Sequence, residues 1–202
     1  MILNLLSSHK LLNENLEYLY VITLNTDNNT YLFTPQDFNN ASDQVVSFDN
    51  VKKEFCKTFN KDETLMFSVD TILYNKRNNR VVMVEFKSGT LTTQVKRRIK
   101  SKLKDSILLL NHLLNKDLNY MQENMEFVLV YNLDSNPDSQ QNLSDSDPLD
   151  NDGFYELADE LIGLAEEENI RFGLEAYEDI FVKKVHTYNV EQFKRYYSYY
   201  IA

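Results

Sequence analysis

The sequence predicts a mixed α/β (α+β) fold, a central sheet flanked by helices, on three observations. The first is a pair of β-branched and aromatic-rich runs, 68–74 and 80–89, separated by the polar stretch Asn75–Asn79. That is the pattern of two strands joined by a tight turn. The second is a long amphipathic stretch from Thr92 or Thr93 to about Asn115, with Val95, Ile99, Leu103, Ile107, Leu110 and Leu114 at steps of three and four. This spacing places one apolar stripe on a helix. The third is the compact apolar run Phe127–Tyr131, which suits a central strand packed against that helix. Strand, helix and strand in succession imply a crossover, with Phe127–Tyr131 parallel to Val81–Phe86.

With 202 residues the chain is expected to form one domain over 1–202, with a core at about 48–131. The single cysteine, Cys56, excludes an intrachain disulfide and a cysteine-based zinc site; flanked by Phe55 and Phe59, it reads as a packed thiol. The first residues lack the basic start and long apolar core of a signal peptide, and no apolar run is long enough to span a bilayer. A cytoplasmic protein with no membrane partner is expected.

In chain order, Leu16–Leu24, the break at 25–29 and Tyr31–Phe33 read as a second hairpin. Asp49 reads as the cap of a helix that buries Val51, Phe55 and Phe59. Beyond Tyr131, residues 133–153 are rich in Asp, Ser, Asn and Pro and read as a surface loop. A C-terminal extension, 154–202, is read as helix, strand, strand and helix. These are an acidic helix over Phe154–Glu168, strands at Ile170–Leu174 and Ile180–Tyr188, and a last helix from Val190 to about Tyr199. Asn189 caps that last helix, with Gln192 three residues on.

Chemistry enters through the charges inside the first strand pair. With the turn centred between Arg77 and Asn78, Asp70 falls opposite Glu85, and Ser68 opposite Lys87. Glu85 and Lys87, two apart, share a face. Two carboxylates that close repel unless a cation lies between them. The arrangement suits a hard metal ion with an ammonium beside it, placed for phosphate chemistry. The remaining residue types offer less. His9, His112 and His186 are scattered, and the four glycines form neither a phosphate loop nor a dinucleotide fingerprint.

An Asp on one strand followed by Glu-x-Lys on the next, here Asp70 and Glu85-Phe86-Lys87, resembles the PD-(D/E)xK, or restriction-endonuclease-like, nuclease superfamily. The resemblance covers about Val51 to Tyr131, with Val69 standing where the motif's name has proline. It implies a restriction-endonuclease-like core in which Asp70 and Glu85 bind Mg²⁺ (Mn²⁺ as a substitute) and Lys87 positions the attacking water. Members often place a further acidic residue on the helix before the core strands, for which Glu54 is the candidate; the alternative is a solvated surface glutamate. Gln94, in the first turn of the long helix, matches a glutamine found in some members, or is an exposed helix-start residue.

The implied activity is Mg²⁺-dependent hydrolysis of phosphodiester bonds, of DNA more than RNA. The basic first half of the long helix, with Lys96, Arg97, Arg98, Lys100, Lys102 and Lys104, is the candidate phosphate track; its alternative is a solvated face. The formal net charge of -10 opposes nucleic-acid binding, but the charge is segregated, basic over 87–104 and acidic over most of 134–179. Two other functions stay open. One is a non-catalytic nuclease fold serving as a binding or assembly module, with a protein partner or a second copy of the chain. The other is an acidic DNA-mimicking inhibitor.

Overall fold

The computed structural model of the chain describes residues 9–25, 30–37, 44–137 and 170–201. Its centre is a six-stranded mixed sheet flanked by helices. In chain order the sheet strands are β1 (Leu16–Tyr18), β4 (Gln44–Ser47), β5 (Thr71–Asn75), β6 (Arg80–Lys87), β7 (Met125–Tyr131) and β8 (Lys184–Asn189), and they lie side by side in that order. The first four pair antiparallel, whereas β6–β7 and β7–β8 are parallel. Antiparallel neighbours need only a short link, and β5 and β6 have one at 76–79. There the Asn75 side chain accepts from the amides of Arg77 and Asn78, and Asn79 takes a left-handed φ of 54°. The expected parallel pairing of β6 with β7 is present, Val81 opposite Met125.

The link between β6 and β7 contains the long helix α4 (Thr93–Leu114). The Thr92 side chain caps its amino end, and Asn115 ends it in the left-handed conformation. Its stripe of Ile99, Leu103, Ile107, Leu110 and Leu114 is buried. The short helix α5 (Leu118–Asn124), which the sequence reading lacks, follows and buries Met121.

Side chains alternate along β6, and the two faces of the sheet therefore carry separate cores. Val81 and Met83 pack with α4, with Val51 of α3 (Phe48–Thr58) and with Leu12 of the short α1 (Lys10–Asn13). Val82, Val84 and Phe86 pack on the other face with Phe33 and with Phe193 and Tyr196 of α6 (Val190–Tyr196). Glu85 and Lys87 continue the odd-numbered set and belong to the α4 face.

Several expected elements take another form. The strand read at Leu16–Leu24 is interrupted by a helical turn, α2 (Leu19–Ile22). What remains of the hairpin is the two-residue ribbon of β2 (Leu24–Asn25) and β3 (Thr30–Tyr31). Burying Leu19 against Phe33 and Val45 outweighs the β propensity of this segment. Residues 170–174 form a turn, not a strand, because Phe172 and Gly173 both take positive φ, 66° and 70°. The last strand is shorter than expected, Lys184–Asn189. Its Asn189–Gln192 capping box opens α6, which passes into a π-helical turn at Tyr197–Ile201. Ser47, not Asp49, is the cap residue of α3, whose C-terminal neighbour Phe59 is exposed while Cys56 is buried. The expected helix over Phe154–Glu168 and most of the 133–153 loop lie outside the described residues. No helix among the described residues is long and apolar enough to cross a membrane.

Candidate functional site

The register of the β5–β6 pair decides the site. Thr71 lies opposite Val84 and Asn75 opposite Arg80, which centres the turn between Arg77 and Asn78. Asp70, one residue before β5, is held by its own backbone on both sides. Its N–H donates to Val84 O at 3.1 Å and its carbonyl accepts from the Phe48 N–H at 3.1 Å. Its side chain turns toward β6, where the Phe86 N–H donates to Asp70 Oδ2 at 2.7 Å.

The second carboxylate oxygen, Asp70 Oδ1, lies 2.9 Å from Lys102 Nζ, which reaches down from α4. The same ammonium lies 2.8 Å from Glu85 Oε1 and 2.9 Å from Oε2. Lys87 Nζ approaches Glu85 Oε1 at 2.6 Å from its own strand. Two carboxylates and two ammonium groups thus form one cluster. Glu85 is wholly buried and the Lys102 side chain only 13% exposed, so water screens these contacts little.

The electrostatics follow from that burial. Desolvation, with the Asp70 charge adding to it, pushes the Glu85 carboxyl up to about 7, although Lys102 and Lys87 act to lower it. For Lys102, burial works against the ammonium, but Glu85 and Asp70 together outweigh it and hold its pKa above the ordinary lysine value.

Beside the cluster opens a cavity of about 430 Å³. Asp49, Asp70, Lys87, Ser88 and Thr90 supply polar lining, and Ile22 and Leu32 supply apolar wall. Asp49 lies in the first turn of α3, where it accepts from the Ser68 hydroxyl and has Lys52 Nζ at 3.6 Å. The Gly89–Leu91 turn beyond Lys87 is pinned by Asn136, which donates to Gly89 O at 3.1 Å and accepts from Leu91 N at 2.7 Å.

The structure brings Asp70, Glu85 and Lys87 together and leaves Glu54 out. Glu54 follows Asp49 by five positions, which turns it to another side of the helix; it is exposed and paired with Lys57 at 2.6 Å. Gln94 is exposed at the start of α4. Arg97 and Arg98 are exposed, with the Arg98 guanidinium 5.4 Å from the Phe67 ring centre. Lys96 and Lys100 are partly covered, their ammonium groups over the rings of Phe172 and Tyr177 at 5.5 and 5.7 Å. Asp49, expected only as a helix cap, and Lys102, expected only as part of the basic run of α4, belong to the site as well. The signal for Lys102 was its helical phase: three after Ile99 and four before Ser106, both buried, it lies at the edge of the apolar stripe.

Among the described residues, no group of three or more His, Cys, Asp and Glu side chains forms a metal cage. The donor set nevertheless fits a hard divalent cation. Asp70 Oδ1 and the Glu85 carboxylate already converge on one positive charge, the Lys102 ammonium, and carboxylate oxygens are the ligands that Mg²⁺ and Mn²⁺ take. No family model, characterised protein or solved structure matches the chain.

Proposed function

We propose that the chain is a Mg²⁺-dependent nuclease that hydrolyses phosphodiester bonds, of DNA in the first place, on a restriction-endonuclease-like core. One observation carries the reading: Asp70, just ahead of β5, and Glu85, on β6, bracket a single cation, the Lys102 ammonium, at 2.8–2.9 Å with Lys87 alongside. The order of the core elements supports it too, since antiparallel β5 and β6 are followed by α4 and then by β7 parallel to β6.

In this reading Asp70 and Glu85 hold the metal. When bound, it supplies Lewis acidity, acidifying water and offsetting charge at the phosphoryl oxygens. The Phe86 N–H holds the Asp70 carboxylate through Oδ2, which would leave Oδ1 for the metal. Lys87, on the cavity wall, orients the attacking water and donates to the phosphate. Exposed Arg97 and Arg98 meet the nucleic-acid backbone as planar guanidinium groups that donate to phosphate oxygens.

One observation favours a second reading, a nuclease-like fold that binds without cutting: the cation between the two carboxylates is already supplied by Lys102. Incubation with plasmid DNA, single-stranded DNA and RNA, each with Mg²⁺, Mn²⁺ or chelator, separates the two. Metal-dependent cleavage is the expected outcome and names the substrate class. Absence of cleavage with every metal and substrate supports the binding module.

A further inference from the structure

Lys102 differs from its basic neighbours on α4. Lys96, Lys100 and Lys104 rest over the rings of Phe172, Tyr177 and Phe181, and Arg97 is exposed. Lys102 instead points inward, and its ammonium contacts both carboxylates. Without a positive charge there, Asp70 and Glu85 would lie side by side, largely out of water, and repel. With Lys87 and Lys102 present and both carboxylates ionised, the two negative and two positive charges cancel. A divalent ion added to the intact cluster would leave an uncompensated charge of two in a buried setting, which is costly.

We propose that Lys102 is a positioning residue that serves as the site's internal cation, and that a divalent metal binds between Asp70 and Glu85 by displacing its ammonium group. This rests on the reading of Asp70 and Glu85 as metal-holding residues. Lys102 therefore keeps the carboxylates in place before metal arrives and sets how tightly metal is held. Withdrawn from the carboxylates, its ammonium becomes a free cation next to the cavity, available to a phosphate oxygen.

The test is Mn²⁺ binding by titration calorimetry, with thermal unfolding in chelator and in Mn²⁺, on wild type, Lys102→Met and Lys102→Arg. Lys102→Met is expected to bind Mn²⁺ at least about tenfold more tightly than wild type, because the competing charge is gone. It should melt lower in chelator and recover in Mn²⁺. Should it be unfolded in chelator, folding on addition of Mn²⁺, followed by circular dichroism, supports the same conclusion. Lys102→Arg keeps the charge and should show no gain. The proposal is overturned if Lys102→Met binds Mn²⁺ no more tightly than wild type, or stays unfolded in its presence. A wild type that cuts nothing while Lys102→Met gains Mn²⁺ affinity removes the nuclease reading and leaves this one standing. A wild type that cuts, with unchanged Mn²⁺ affinity in the variant, removes only this one.

Discussion

The Phe86 amide donates to Asp70 Oδ2 at 2.7 Å, so a backbone group of β6 sets the carboxylate that lies just ahead of β5. Lys102 holds the other oxygen, and both Asp70 oxygens face donors. Asp70→Asn cannot satisfy this arrangement, because its amide NH₂ must face either the Phe86 N–H or the ammonium. A loss of about 1–3 kcal/mol in urea unfolding is expected, the usual cost of a mismatched buried polar contact. Metal-dependent cleavage should be lost with it.

A second buried carboxylate, Glu126 on β7, lies on the other face of the sheet. It accepts from the Tyr196 hydroxyl at 2.8 Å and from Arg80 at 3.1 Å. Burial, with the Glu126 charge and hydrogen bond adding to it, pushes the Tyr196 phenol up, so it stays a donor. Tyr196→Phe removes that donor and leaves the Glu126 Oε2 atom with the Asn75 amide at 3.2 Å. It is expected to cost about 1–3 kcal/mol by urea denaturation. Cleavage per folded molecule should stay at the wild-type level, since this cluster belongs to the α6 face.

His186, on β8, stacks on Tyr188 with its Nδ1 atom 2.9 Å from the Tyr188 hydroxyl. Burial holds its pKa below the usual histidine value of 6.5. Glu126 and Glu178 act the other way and are outweighed, and Lys184 and Arg80 add to the lowering. The unfolded chain therefore binds more protons than the folded one below that value. The contribution of His186 is full above pH 6.5 and is lost as the pH falls through the depressed folded value. Urea denaturation at about pH 7.5 and about pH 5.5 should show a smaller drop for His186→Gln than for wild type.

Gly173 has a φ of 70°, and a Cβ there would meet Lys100 Nζ at 3.2 Å. The lysine tip can move aside, so backbone strain dominates. Gly173→Ala is expected to lower stability by about 1–2 kcal/mol in thermal or urea unfolding.

The site was legible wherever local pattern and tertiary structure agree. Two β-branched runs around a polar turn specify one register, and the pairing of Thr71 with Val84 and Asn75 with Arg80 has the same centre as that pattern. The stripe of α4 and the capping box at Asn189 follow from spacing alone. Asp49 has the signature of a cap, an acidic residue before an apolar run, yet the chain enters the helix two residues earlier, at Ser47. Lys102 is one of six basic residues of similar appearance in the sequence, with Lys96, Arg97, Arg98, Lys100 and Lys104. Its inward direction depends on α4 passing over Asp70 and Glu85, a relation between elements that no local pattern carries. The strand expected at 170–174 is absent for a backbone reason, the positive φ of Phe172 beside Gly173.

In the proposed function Asp70, Glu85 and Lys87 form a metal-dependent phosphodiesterase site. Its most direct test is single-turnover cleavage of an end-labelled oligonucleotide at saturating Mg²⁺, by wild type and Lys87→Ala, with matched circular dichroism spectra. Lys87 is partly exposed and Lys102 still holds Glu85, so the variant should fold. Cleavage by wild type that chelator abolishes is expected, with a rate in Lys87→Ala lower by a factor of about 100 or more. Equal rates for the two proteins, or wild-type cleavage that persists in chelator, would contradict it.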